Sequence, residues 1–102
     1  MKKVLLVCGG GASSGFLAAN IRKAISKRGV NVEVEALSES AIDSMLPSID
    51  CLMLAPHLKY LLSEVEPKCK AAGVKVALLD ESYYGTLNGE RALDHILYIL
   101  KD

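Results

Sequence analysis

Two hydrophobic periods alternate along the chain. Residues 3–7 are a short, mainly apolar run closed by Cys8 and the cluster Gly9-Gly10-Gly11. The run is too short for a helix, and apolar side chains at successive positions bury both faces, the habit of a central parallel strand. From Phe16 the spacing becomes helical. Leu17, Ile21, Ala24 and Ile25 share one face, Asn20, Arg22, Lys23 and Lys27 fall elsewhere, and Lys27-Arg28-Gly29 closes the helix. Residues 31–37 set Val32, Val34 and Ala36 against Glu33 and Glu35, a strand with one wet face and hence an edge strand. Ser38-Glu39-Ser40 offers an N-cap to a short helix carrying Ile42, Met45 and Leu46, which Pro47 ends.

Residues 50–55 read as a second doubly buried strand, and Pro56 follows in the first turn of a helix. That helix carries a stripe of Leu58, Leu61, Leu62, Val65, Cys69 and Ala72 and stops at Gly73. Pro67 within it predicts a kink or break. A fourth strand spans residues 74–79 and a loop residues 80–85. Asn88-Gly89 then opens a last helix whose buried face is Leu93, Ile96, Leu97 and Leu100.

Strand and helix alternating with short connections predict an α/β fold: a doubly wound, four-stranded parallel sheet, order 2-1-3-4, with helices on both faces. Residues 1–102 form one domain in this reading. A ligand crevice in such a sheet lies beyond the carboxyl ends of the strands where the winding reverses, here between the first and third strands. The Cys8 loop and the Pro56-His57 turn flank it.

Composition narrows the functional classes. Hydrophobic residues make up 51% of the chain and charged residues 24%, which argues against disorder. Twelve basic residues balance twelve acidic ones, so the basic excess expected of a nucleic-acid-binding protein is missing. The apolar run after Lys2-Lys3 is too short for a signal peptide, and no stretch reaches membrane-spanning length. A soluble, cytoplasmic protein is expected. Three cysteines without a C-x-x-C pair point to reduced thiols rather than a disulfide framework, and metal-ligand spacing is absent. Cys51, mid-strand, and Cys69, on an apolar stripe, read as core residues.

The chemistry concentrates in Cys8-Gly9-Gly10-Gly11-Ala12-Ser13-Ser14-Gly15. Small residues leading into a helix expose successive backbone N–H groups to an anion, and the helix dipole adds positive charge. The glycines admit close approach of a phosphoryl group, and the Ser13 and Ser14 hydroxyls can donate to its oxygens. The same N–H groups would lower the Cys8 pKa and favour a nucleophilic thiolate. The plainer alternative is a tight turn followed by an inert, buried cysteine. Walker A is excluded because no lysine follows the glycines, and G-x-G-x-x-G fails at Ser14.

The loop, with Leu54-Ala55-Pro56-His57-Leu58-Lys59-Tyr60 and Asp80-Glu81-Ser82-Tyr83-Tyr84-Gly85, resembles the IIB component of the bacterial phosphoenolpyruvate-dependent sugar phosphotransferase system, lactose/cellobiose branch. That family carries a strand ending in cysteine and a loop of the type C-S-A-G-M-S-T-S. Here Ala12 replaces methionine, Gly15 replaces serine, and His57 stands where glutamine is common. The resemblance implies a sheet similar to the low-molecular-weight tyrosine phosphatases and a phosphotransferase without a cofactor or metal. Cys8 would accept phosphate from a phosphohistidine on a IIA protein and pass it to a sugar entering through a membrane IIC permease. The domain would then work in the cytoplasm against the inner face of the membrane.

Two rivals remain. A phosphatase of that fold closes its loop with arginine where Ser14 stands, and without that guanidinium a phosphocysteine should persist rather than hydrolyse. A phosphate-sensing module would keep the anion site and leave Cys8 structural. His57 reads as a phosphate or docking residue, or simply as a surface residue at a helix start. Tyr84 either closes the crevice near Cys8 or anchors its loop by ring packing. Asp80 is a candidate cap for that loop, His95 a solvated residue, and Ala12 and Phe16 an apolar rim for partners.

Overall fold

A computed structural model of the chain describes residues 1–8 and 12–101, with the backbone alone for residues 12–14. The strands β1 (Lys2–Val7), β2 (Val32–Leu37), β3 (Cys51–Leu54) and β4 (Lys75–Leu78) form a four-stranded parallel sheet in the order β2-β1-β3-β4. The predicted order and parallel sense are those observed. Val7 lies opposite Leu37 on one side and Leu54 on the other, and Leu54 lies opposite Leu78. Asp50 ties the near ends together. Its carboxylate accepts the Lys3 N–H at 2.8 Å, its own N–H reaches the Lys3 carbonyl at 2.8 Å, and its carbonyl accepts the Lys75 N–H at 3.1 Å.

Sequence pattern sets strand rank. Val4 to Val7 and Cys51 to Leu54 are fully buried, so the two uninterrupted apolar runs occupy the middle. In β2 only Val32 and Val34 are buried, while β4 is half-buried beyond Lys75, so both are edges.

The helices are α1 (Ala12–Arg28), α2 (Ile42–Met45), α3 (Leu62–Ala72), α4 (Glu81–Tyr84) and α5 (Gly89–Leu100). The β1-α1-β2 and β3-α3-β4 crossovers step outward in opposite directions. A common right-handed connection therefore puts α1 and α3 on opposite faces. α5 packs against α1.

Several boundaries differ from the sequence reading. α1 starts at Ala12, ahead of Phe16, because small residues continue a helix without adding to its apolar stripe. Residues 38–48 form a 3-10 turn (Glu39–Ala41), α2 and a second 3-10 turn (Leu46–Ser48) that contains Pro47. Ser38 makes no side-chain cap and instead shares a hydrogen bond with Ser40 at 2.8 Å. The predicted break at Pro67 does not occur: α3 runs through it. Ser63 and Pro67 are exposed, so water can take the hydrogen bond that the Ser63 carbonyl loses. The irregularity comes earlier, at Leu58, inside the 3-10 segment Pro56–Leu61. α3 ends as expected at Gly73, whose φ of 73° lets the Val74 N–H return to the Cys69 carbonyl at 2.8 Å. Residues 81–84, read as loop, form the single turn α4, and Leu97 and Leu100 are only half-buried.

The α1–α5 seam is unusually close. A Cβ on Gly89 would lie 2.3 Å from the Asn20 carbonyl carbon and 2.6 Å from the Ile21 nitrogen. Asn20 Nδ2 donates to the Leu87 carbonyl at 2.8 Å beside this contact. Farther along the seam, Arg28 clamps Glu90 and Asp94, each at 2.6 Å. Backbone atoms cannot yield as a side-chain tip does, so Gly89→Ala is expected to cost about 3 kcal/mol, the upper end of overpacking penalties. Urea denaturation of the variant checks this.

Candidate functional site

β1 leaves the sheet at Cys8. The Val7 carbonyl accepts the Ala55 N–H at 2.9 Å, and the Leu54 carbonyl accepts the Leu79 N–H at 2.7 Å, so β1, β3 and β4 end in step. Cys8 therefore stands at the carboxyl edge where the winding reverses, and it is only 2% exposed.

Tyr84, on α4, acts on the Cys8 thiol in the direction that favours its charged form. The Tyr84 ring is tilted against the exposed His57 ring, with centroids 6.3 Å apart. Pro56, His57, Glu81, Tyr84 and Gly85 line an open pocket of about 250 Å³. The structure thus brings His57 and Tyr84 together at one pocket, and Cys8 is not among the residues that line it. A larger groove of about 580 Å³ lies elsewhere, along β2 and the near end of β1, lined by Lys3, Arg22 and Glu35 among others.

Burial pushes the Cys8 thiol above its ordinary pKa, and Tyr84 works against that rise. The expected lowering of the thiol is therefore not what the structure shows: the desolvation cost of a buried thiolate outweighs the effect of Tyr84. Gly9, Gly10 and Gly11 lie outside the described residues. Ala12, Ser13 and Ser14 are described only as backbone in the first turn of α1, and their side chains lie outside the description. Gly15 follows them in α1, with open space where a Cβ would stand. Phe16 is 62% exposed, suited to a rim.

Asp80 caps α4, its Oδ1 accepting the Ser82 N–H at 2.8 Å, a bond that holds its carboxyl below the usual range. His95 departs from its solvated reading. It is half-buried, and its Nδ1 lies 2.5 Å from the hydroxyl of Tyr83, which is 3% exposed. Burial raises the Tyr83 phenol pKa. Sequence reasoning missed this pair because its members are far apart in the chain; the only signal was a second tyrosine beside Tyr84. Cys51 and Cys69 are free and fully buried, as expected of core thiols. Among the described residues, no group of three or more His, Cys, Asp or Glu could hold a metal ion. No helix among them is long and apolar enough to cross a membrane.

The family model described as "PTS system, Lactose/Cellobiose specific IIB subunit" matches residues 3–95. The chain belongs to this family. The IIB chain is 32% identical over 97 residues to the PTS system galactose-specific EIIB component of Lactococcus lactis subsp. cremoris (strain MG1363), covering 90% of each protein. A PTS system lactose-specific EIICB component of Lactococcus lactis subsp. lactis is 32% identical over 92 residues, covering 88% of this chain but 16% of that protein. Among solved structures, the lactose-specific IIB component domain from Streptococcus pneumoniae superposes with a TM-score of 0.87 at 23% identity, covering 96% of both chains. A YwlE mutant from Bacillus subtilis, with the low-molecular-weight tyrosine phosphatase fold, gives 0.61 at 14% identity over 99% of this chain and 95% of that one. The fold likeness inferred from sequence is thus observed.

The buried thiols give the IIB fold an alkaline weakness. Burial pushes Cys51 from 9.0 to about 12, and Cys8 and Cys69 move the same way. As pH rises through 9 the unfolded chain releases thiol protons that the folded chain still holds, which favours unfolding. The urea midpoint is expected to fall steadily between about pH 9 and 12, and Cys51→Ala to flatten that slope.

Proposed function

We propose that Cys8 is the phosphoryl carrier of this IIB chain, accepting phosphate from a phosphohistidine on a IIA protein and delivering it to a sugar hydroxyl at a IIC permease. The observation that carries this reading is Cys8 just past the carboxyl end of β1, a central strand, where the winding of the sheet reverses. In the first step the N–P bond of the donor breaks and an S–P bond forms. The thiol proton leaves sulfur and the departing imidazole gains one, so no net charge is stranded. In the second step the sugar oxygen takes the phosphoryl group and its proton returns the sulfur to a thiol.

Residues 9–15 are the proposed phosphate cradle, their backbone N–H groups and the Ser13 and Ser14 hydroxyls serving the equatorial oxygens. His57 and Tyr84 form the wall that the acceptor meets. The sugar is of the lactose, cellobiose or β-glucoside class, as the relatives' names suggest. The joined name of the lactose-specific EIICB relative supports a IIC partner, and with it a working place at the inner face of the membrane.

Intact-mass spectrometry with phosphoenolpyruvate, the general phosphotransferase proteins and a IIA donor tests the reading. A stable one-phosphate adduct is expected, absent in Cys8→Ala and discharged by permease membranes with sugar. An adduct that decays in buffer alone would favour a phosphatase, and no adduct an anion-binding module. Phe16→Asp is expected to slow charging by roughly tenfold, the loss of one interface anchor. Its melting temperature should not change.

A further inference from the structure

β2 is an edge of the sheet, and its hydrogen bonds show which backbone groups face outward. Along a strand the N–H and C=O of one residue point the same way, and those of the next residue point the opposite way. The Asn31 carbonyl accepts the Lys2 N–H at 3.2 Å, and Lys2 lies opposite Val32. Asn31, Glu33 and Glu35 therefore turn their backbone groups towards β1, while Val32, Val34 and Ala36 turn theirs outward. No strand among the described residues lies beyond them. An open row of this kind is a template for a further strand. Arg22 on α1 reaches across it, and its Nε donates to the outward Val34 carbonyl at 3.1 Å. Arg22 also lines the groove of about 580 Å³ that follows this edge, together with Lys3, Ile25, Glu33 and Glu35 among others. An incoming strand needs both that carbonyl and that space.

The register adds a second obstacle. A copy of the chain paired edge to edge about a two-fold axis runs antiparallel. Outward-facing residues can bond only to outward-facing ones, so Val32, Val34 and Ala36 meet one another and the odd-numbered residues meet one another. With the axis at Val34, each Glu33 lies opposite the Glu35 of the other chain. With the axis one residue to either side, Glu33 or Glu35 lies opposite itself. Like charges directly opposite are destabilising, and these three registers all contain them. Within its own chain Glu35 instead pairs with Lys3 at 3.6 Å. We propose that Arg22, Glu33 and Glu35 hold the β2 edge closed against a second copy of this chain, so that β2 stays the last strand of the sheet. The proposal stands independently of the carrier reading of Cys8.

Sedimentation of the whole chain, with hydrogen exchange of single backbone amides followed by NMR, tests it. The unaltered chain is expected to stay monomeric up to about 1 mM, the range of marginal association. Glu33→Thr with Glu35→Thr replaces the opposed carboxylates by residues that favour strands. Adding Arg22→Ala, a strong helix former, frees the Val34 carbonyl. Arg22 and Glu33 are exposed and Glu35 is half-buried, so the core is untouched. The triple variant is expected to dimerise roughly tenfold more tightly than the double one. Its Val34 and Ala36 N–H groups should exchange more slowly as concentration rises, while that of Glu33, which faces β1, should not change. A triple variant that stays monomeric at about 1 mM overturns the proposal. So does a dimer in which Val34 and Ala36 exchange at the monomer's rate. Equal dimerisation of the double and triple variants overturns the part played by Arg22. An unaltered chain that already pairs through these amides overturns the closed edge altogether.

Discussion

A strand buried on both faces cannot offer chemistry along its length. β1 has parallel neighbours on both sides, β2 and β3, and Val4 to Val7 have no exposed surface. Water, substrate and partner can meet this strand only where the chain leaves the sheet, and that is where Cys8 stands. The winding reverses at the same point, because β1-α1-β2 and β3-α3-β4 diverge from it. The helices are drawn apart and a crevice opens. The proposed site of this IIB chain is thus a consequence of strand rank. The two uninterrupted apolar runs took the middle of the sheet, and one of them ends in a thiol.

The same logic explains what was legible in the sequence. Strand identity, parallel sense and order follow from whether each run alternates or not, which is a local signal. The Cys8 loop and the His57 and Tyr84 segments could be read because each combines turn chemistry with a strand end. What escaped depended on exposure and on pairs remote in the chain. Pro67 looked like a helix breaker, but its damage depends on whether water can reach the freed Ser63 carbonyl, and here Ser63 and Pro67 are both exposed. α1 began early because Ala12 to Gly15 add nothing to an apolar stripe. The Tyr83–His95 bond joins α4 to α5, and no periodicity of either segment encodes it. The direction of the Cys8 shift was missed for a related reason. Loop N–H groups are visible in the sequence, whereas the depth of a sulfur is set by everything packed around it.

That direction bears on the chemistry. A thiol raised by burial is a neutral thiol at ordinary pH, a poor nucleophile toward most electrophiles. In the proposed transfer from a phosphohistidine, whose nitrogen needs a proton as it leaves, a protonated cysteine would supply nucleophile and proton together. Burial also protects the sulfur from casual oxidation and alkylation, which a lower pKa and greater exposure would invite. Tyr84 opposes the rise that burial causes without reversing it.

α1 and α4 are both tied to α5, a helix whose own residues are not among those lining the His57–Tyr84 pocket. α1, which begins just beyond the loop, lies so close to α5 that Gly89 leaves no space for a Cβ, and Asn20 and Arg28 tie the two helices. α4, which carries Tyr84, is tied to α5 through Tyr83 and His95. A displacement of α5 would therefore move α1 and α4 together. This gives a mechanical reason for a glycine at the tightest point of the seam: closeness there leaves less freedom for α1 and α4 to drift relative to each other.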